Sequence, residues 1–393
     1  MFKKIKLYHF IQLEFILLMV LAFILTYQRT IKNSMIPSVN TSTSQHEGQN
    51  SDSSKDAVKT DYIQWVDFKV NYAALEDTYH IDVESYESGQ KLDWIDLLAY
   101  LGTKYGGDFS KYSKKDLNTL VETLKTEDQS LEDLTKDMEY FNYYKEAYGA
   151  VLNGLLGEYE IEVPKEEGSQ EKVWVKKYGL KAFSPIAKGY EYYDYDDFGV
   201  SRSYGYSRPH LGHDMMGQVG TPITAVESGY VEAIGWNQYG GWRLGIRSFD
   251  KKRYYYYAHL RKNFPYNKSL EEGSIVQAGD VIGYLGRTGY SSTENVNNIK
   301  QSHLHFGLQL IFDESQKEGN NEIWIDCYDL IRFLYKNRSL TVKDEATKEY
   351  SRVYEIRDPV VEEYQRTKDM TIPLPNNNKY VSPVAERIQA MEE

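Results

Sequence analysis

Five of the eight histidines in this 393-residue chain fall in three short segments between residues 208 and 307. They read Arg208-Pro-His210-Leu-Gly-His213-Asp214, Tyr257-Ala-His259-Leu and Ser302-His303-Leu-His305-Phe-Gly307. Their surroundings are strand-like: from about Trp174 glycines become frequent, β-branched and aromatic residues rise, and alternation replaces helical spacing. On an extended strand, side chains at i, i+2 and i+4 share a face. His210 and Asp214 therefore share one, Gly212 leaves the space over it open, and His213 turns away. His303 and His305 likewise share a face, with Leu304 turned to the core. A strand carrying His and Asp beside a strand carrying two His can supply three ligands to one Zn²⁺, leaving a fourth position for water. His259 and one of His303 and His305 are then left for acid–base work. A single His-x-His is weak, but three such segments in strand context favour metal binding over coincidence.

The N-terminus carries a second signal. Lys3, Lys4 and Lys6 precede an apolar run from Leu7 to Leu25, whose front is interrupted by Gln12 and Glu14. The run is long enough to cross a bilayer as a helix. Thr26-Tyr27-Gln28-Arg29 follows it and offers no small-residue cleavage motif. Positive charge is heavier before the run than after it, which orients the N-terminus inside. The expectation is a single-pass anchor in the cell membrane over residues 1–28, with the rest of the chain extracytoplasmic.

Five segments are expected, giving an α+β multidomain chain. The anchor is followed by a Ser/Thr-rich flexible linker at 29–61, too polar to bury a core. Residues 62–172 read as a mainly helical domain. There Asp93 caps a helix with Trp94, Leu97, Leu98 and Leu101 on one face, and Gly106-Gly107 breaks it. Ser113 to Asp116 and Ser130 to Asp133 read as capping boxes, the second opening a helix with Leu131, Leu134, Met138 and Phe141. No catalytic constellation stands out here, and its expected use is as a spacer or a docking face for envelope proteins. Residues 173–338 read as antiparallel β. Thr221 to Ile234 is expected to hold paired strands around Glu227-Ser228-Gly229. Trp242–Phe249 and Arg253–Leu260 are expected to form a hairpin around Asp250-Lys251-Lys252. Residues 339–393 form a polar tail with Pro359, Pro373, Pro375 and Pro383, part of it helical.

Charge and cysteine usage narrow the classes. With 46 Lys+Arg against 58 Asp+Glu the net charge is −12, which disfavours nucleic acid as a partner because phosphate contacts need a basic face. The one cysteine, Cys327, excludes an intrachain disulfide; its apolar neighbours make it an inert buried thiol. His80 has no special task.

Residues from about Phe183 to Leu334 resemble the M23 family of zinc metallopeptidases, the lysostaphin-type or LytM-like peptidoglycan endopeptidases. The resemblance rests on His210-x-x-x-Asp214, Gly220-Thr221-Pro222-Ile223-x-Ala225, Gly229-x-Val231, Tyr257-Ala-His259-Leu, Gly279-Asp280-x-Ile282-Gly283, Gly286-x-Thr288-Gly289 and His303-x-His305-Phe306. It implies an antiparallel β domain with a groove, one Zn²⁺ per chain held by His210, Asp214 and His305, and catalytic histidines His259 and His303. It further implies hydrolysis of a peptidoglycan peptide by zinc-activated water, with His303 as general base and His259 steadying the oxyanion or positioning the water. The chain departs from the pattern at Tyr290 to Ser302, a longer Asn-rich stretch that can reshape a groove wall. His213 stands where the family often has an apolar residue and is expected to support a ligand. The alternative is a non-catalytic, zinc-bound scaffold or activator at the cell envelope. A sugar-phosphotransfer carrier domain also uses paired histidines, but needs neither Asp214 nor the His-x-His pair.

Overall fold

The computed structural model describes residues 62–126, 129–203, 207–319 and 321–371. The anchor expected at 1–28 and the linker at 29–61 lie outside them. Among the described residues no helix is long and apolar enough to cross a membrane.

The helical segment is built by its caps. Helix α1 (Tyr72–Ser88) starts at Asn71, whose side chain accepts from the Ala74 amide. Helix α2 (Trp94–Tyr105) starts at Asp93, which accepts from the amides of Ile95 and Asp96. It stops at Gly106, whose φ of 65° suits glycine. Then come α3 (Lys114–Thr126), α4 (Leu131–Thr135) and α5 (Phe141–Leu152). The capping box expected at Ser130 is present, but the helix it opens is only five residues long. Phe141, expected on that same helix, begins the next one, since residues 136–140 turn between them.

Among the described residues sixteen strands follow. They are β1 (Leu156–Pro164), β2 (Lys172–Leu180), β3 (Ser201–Ser203), β4 (Ser207–Pro209), β5 (His213–Met216), β6 (Pro222–Thr224), β7 (Gly229–Asn237), β8 (Gly241–Ser248), β9 (Arg253–Ala258), β10 (Ile275–Val276), β11 (Val281–Tyr284), β12 (His303–Leu310), β13 (Ile323–Ile325), β14 (Thr341–Lys343), β15 (Tyr350–Arg352) and β16 (Ile356–Arg357). Helix α6 (Tyr328–Leu334) follows β13, and α7 (Pro359–Thr371) follows β16. The main sheet is antiparallel, in the order β10-β7-β8-β9-β12-β13, with β5 also paired to β12. The expected hairpin is β8–β9. The strands expected to pair around Glu227-Ser228-Gly229 do not pair with each other. Strand β6 pairs with β11 and β7 with β8 and β10, so the turn between them carries the chain from one sheet to another.

The helical and β segments share one hydrophobic core. A single cluster runs from Leu75, Leu98 and Tyr148 through Ile223, Tyr255 and Leu304 to Phe333. Trp94 and Tyr79 pack on Phe333, with ring centroids 6.0 and 5.5 Å apart. Buried Arg253 on β9 donates from Nη1 to the Ala150 carbonyl of α5 (2.8 Å), while Nε and Nη2 grip Glu227 (2.7 and 3.0 Å). The boundary expected between residues 172 and 173 falls inside the β1–β2 hairpin, which is paired from Leu156↔Leu180 to Pro164↔Lys172. Part of the expected polar tail returns to the body. Strand β16 pairs with β1, Lys181 Nζ meets Asp358 Oδ1 at 2.8 Å, and buried Arg352 meets Asp280 Oδ1 at 3.1 Å.

Candidate metal centre and groove

Register brings the motif residues together. Strand β12 lies between β9 and β5 at its N-terminal end, so His305 stands opposite Asp214 on one side and Ala258 on the other. His303 and His305 share the face of β12 toward the groove, while Leu304 is buried on the other. His210 lies just ahead of β5 rather than on it. Its backbone is held by Val200 and Gly199, the His210 amide donating to Val200 O (2.9 Å) and the Gly199 amide to His210 O (2.7 Å). His259 follows the end of β9 with a left-handed φ of 62°, uncommon for histidine, and its amide donates to Gly240 O at 2.7 Å. All five residues line one cleft with Arg202, Arg208, Tyr239, Gly240, Tyr256 and Tyr290.

Three of them could hold a metal ion: His210, Asp214 and His305. His210 Nε2, His305 Nδ1 and Asp214 Oδ1 form a near-equilateral triangle, with sides of 3.0 Å between the two nitrogens and 3.1 and 3.0 Å to the oxygen. Tetrahedral ligands about 2.0–2.1 Å from a zinc ion stand roughly 3.3 Å apart, so the triangle fits one face of such a site. Two imidazoles and a carboxylate also suit zinc chemically. Gly212 matters here for space rather than conformation. A β-carbon at that position would lie 2.6 Å from His305 Cε1 and 2.7 Å from Phe306 O, so any side chain would displace the His305 ring.

Partners behind the cluster fix its tautomers. His210 Nδ1 donates to the Asp197 carbonyl (3.0 Å), with Asp197 Oδ2 3.1 Å away, so that Nε2 faces the cluster. Asp197 is fully buried and also receives Arg202 Nη2 at 2.8 Å; the same nitrogen reaches Asp214 Oδ2 at 3.2 Å. His213 points away from the triangle, with Nε2 2.8 Å from Asp194 Oδ2 and Nδ1 3.5 Å from Asp197 Oδ1. His303 Nδ1 donates to Gln301 O (2.8 Å) and His259 Nδ1 to Thr288 O (2.9 Å). Each thus leaves Nε2 as the acceptor, and His303 Nε2 lies 3.7 Å from Asp214 Oδ1. The two rings are 4.8 Å apart.

The electrostatics follow. Burial alone would raise the Asp214 carboxyl, but hydrogen bonds from His210 and His305 outweigh it and hold the group far below the usual carboxylate range. Asp197 is held down to about 2 against the same burial, by His210 and His213. Burial would depress His210 and His213, yet their aspartates lift both to about 9. His259 goes the other way, pushed well below its ordinary value by burial and then by the neighbouring His303 and His305. It is therefore a neutral imidazole near pH 7.

Tyr290, at the start of the Asn-rich stretch, lines the cleft. Tyr290 carries a φ of 48° and its ring lies 5.7 Å from that of His259. Asn298 Nδ2 donates to the Tyr290 carbonyl (2.7 Å), and Asn295 Oδ1 accepts from Trp242 Nε1 and the Asn263 amide, both at 2.9 Å.

Asp194, Asp197 and Arg202 were not singled out by the sequence. They come from the tract around Tyr190-Glu191-Tyr192-Tyr193-Asp194-Tyr195-Asp196-Asp197 and the strand after it. Carboxylates clustered shortly before His-x-x-x-Asp are the signal that could have pointed to them.

The profile for Peptidase family M23 matches residues 208–320. An L-Ala--D-Glu endopeptidase of Bacillus subtilis (strain 168) is 37% identical over 148 residues, which are 38% of this chain and 41% of that protein. Lysostaphin of Staphylococcus simulans is 38% identical over 98 residues, 25% of this chain and 17% of its own length. The chain thus spans less than half the length of these relatives. Among solved structures, a putative glycyl-glycine endopeptidase lytM from Ruminococcus gnavus ATCC 29149 aligns over 72% of this chain and 94% of its own, at 23% identity and a TM-score of 0.45.

Proposed function

We propose, from the match of residues 208–320 to peptidase family M23, that this chain is a zinc endopeptidase that hydrolyses peptide bonds of peptidoglycan. The observation that carries the reading is the triangle of His210 Nε2, Asp214 Oδ1 and His305 Nδ1, set beside two histidines whose Nε2 atoms are acceptors. His210, Asp214 and His305 would hold one zinc ion. Zinc, when bound, supplies a Lewis acid that polarises the scissile carbonyl and makes a neighbouring water easier to deprotonate.

The rest falls to the chain's own groups. His303, with its Nδ1 proton committed to Gln301 O, takes the water's proton at Nε2 and returns it to the departing amine. His259, neutral and anchored through Thr288 O, accepts a hydrogen bond from the water at Nε2 and so orients it. Asp197 and Arg202 hold His210 and the second oxygen of Asp214 in place. The aromatic walls at Tyr239, Tyr256 and Tyr290 shape the cleft for an extended peptide.

Lys3, Lys4 and Lys6 ahead of the apolar run from Leu7 to Leu25, with no small-residue cleavage motif after it, support an anchored protein whose body faces the cell wall. The decisive experiment is digestion of defined muropeptides by the zinc-loaded ectodomain, with mass analysis of products. New amino and carboxyl termini at one peptide bond, lost on chelation, are the expected result. Intact muropeptides with the site fully loaded would overturn the reading.

A further inference from the structure

We propose that Arg202 selects the metal: it takes one oxygen of Asp214 out of use, so that the cluster offers a cation a single carboxylate oxygen and refuses ions that need more. This rests on the zinc-holding part of the reading above and not on hydrolysis. Arg202 belongs to a ribbon outside the main sheet. Strand β3 pairs with β4 alone among the described strands, with Arg202 opposite Arg208, and β4 leads straight to His210. The ribbon thus delivers a cation to the ligands that follow it. The Arg202 side chain is 24% exposed, and its Nη2 spans two carboxylates, Asp197 Oδ2 at 2.8 Å and Asp214 Oδ2 at 3.2 Å. Neither of those oxygens belongs to the triangle of candidate ligands.

The two oxygens of Asp214 are thereby divided. Oδ1 stands 3.1 and 3.0 Å from His210 Nε2 and His305 Nδ1, whereas Oδ2 faces the guanidinium. A charge-assisted hydrogen bond holds Oδ2 there, and turning the carboxylate to offer both oxygens to one ion would break it. Asp197 is closed to the ion as well. Its Oδ2 lies on Arg202 and 3.1 Å from His210 Nδ1, and its Oδ1 is 3.5 Å from both the Asp214 amide and His213 Nδ1. Two carboxylates are therefore close by, yet a cation meets one oxygen and two imidazole nitrogens. Cations differ in what they require. Zinc accepts three protein donors and a water in a tetrahedron. Manganese, magnesium and calcium favour six or more donors, chiefly oxygens. Without Arg202, Asp214 Oδ2 is released to bind alongside Oδ1, and the ions that want more oxygens gain most. Arg202 is thus a positioning residue that acts through Asp214.

The test uses the full chain, stripped by a chelator and reloaded with Zn²⁺, Co²⁺ or Mn²⁺ alone. R202M keeps an apolar stem and loses the donors, while R202K keeps a charge and a donor. Cobalt-loaded wild type is expected to show the intense visible bands of a four-coordinate ion. R202M should show the weaker bands of a higher coordination number, and R202K should stay near wild type. The ratio of zinc to manganese affinity, measured by chelator competition, should fall at least about tenfold in R202M and less in R202K. Circular dichroism confirms that each variant is folded. A crystal structure of zinc-loaded wild type needs no variant, and one oxygen of Asp214 on the ion is the expected result. Both oxygens on the ion there, or an unchanged spectrum and metal ratio in folded R202M, overturn the proposal. If R202M does not fold, the wild-type crystal structure decides alone. Wild type that binds no zinc overturns the proposal and the zinc centre together. Wild type that binds zinc through one Asp214 oxygen but leaves muropeptides intact overturns the peptidase reading by itself.

Discussion

His303 and His305 are two residues apart on one strand face, yet their surroundings divide the work between them. His305 Nδ1 stands 3.0 Å from both His210 Nε2 and Asp214 Oδ1, whereas His303 offers Nε2 from 3.7 Å outside the triangle. His305→Ala and Asp214→Ala should therefore lose zinc and activity together. His303→Ala should keep zinc and lose about 10²–10⁴-fold in turnover, the usual worth of a positioned base. Zinc content and turnover on the same samples check this, and equal zinc loss in both histidine variants would make both of them ligands. Asp197 acts one shell further out. Asp197→Asn keeps the size but weakens the hold on His210 Nδ1, and zinc affinity measured by competition with a chelator should fall about 10–100-fold. Unchanged affinity would leave Asp197 a purely structural residue. His303 and His305 were legible because the strand period of two puts them on one face, while His210, Asp214 and His259 were legible through the short motifs that carry them. Asp197 was not, because it stands thirteen residues ahead of His210, with β3 and β4 between them, a separation that no strand or helix period describes.

At the scale of elements, the helices were legible where a cap stood beside a strong apolar face, as at Asp93 and Trp94. Helix α1 lacks that contrast: its buried positions include Thr78, Asp82 and Ser85, so polarity gives no clean stripe. Asp82 is buried because it is a junction. Its Oδ2 accepts from the Trp94 amide at the start of α2 (2.8 Å) and its Oδ1 from Tyr178 Oη on β2 (2.6 Å), joining two helices and a strand. Asp82→Ala leaves a buried amide and a phenol without that partner, and should lower unfolding stability by about 2–4 kcal/mol. Denaturant melts of the described body would show it, and a loss under about 0.5 kcal/mol, the level of an ordinary surface change, would contradict it. The misread pairing at Glu227 has a different cause. Two strand-like runs flanking a turn normally make a hairpin. Here Glu227 is instead gripped by Arg253 and Tyr255 Oη (2.7 Å), so the turn is tied to the neighbouring sheet and the runs diverge.

At the scale of the whole molecule, composition shifts suggested separate helical and β domains, but the packing joins them. Texture along a chain reports local preference, whereas core sharing is set by long-range contacts such as Arg253 to Ala150 O and Trp94 to Phe333. A fragment of residues 173–338 would lack β1 from under β2, the helices from over Phe333, and Arg352 from Asp280. It should be poorly folded and zinc-deficient, while residues 62–371 should melt in one cooperative transition. Calorimetry of both fragments tests this, and a sharp transition with full zinc content in the shorter one would show that the β segment stands alone.

Cys327 stands at the residue just before α6. It is fully buried, its Sγ lies 3.2 Å from the Ile325 carbonyl, and burial holds the thiol well above its ordinary value. A thiol reagent should therefore titrate nothing in the folded chain and one group after denaturation. That makes the native protein a ready background for site-directed labelling. A cysteine introduced at exposed Tyr193 or Val219 would be the one position a maleimide dye can reach. Peptide arrival at the groove could then be followed by fluorescence in real time, with no native residue removed first.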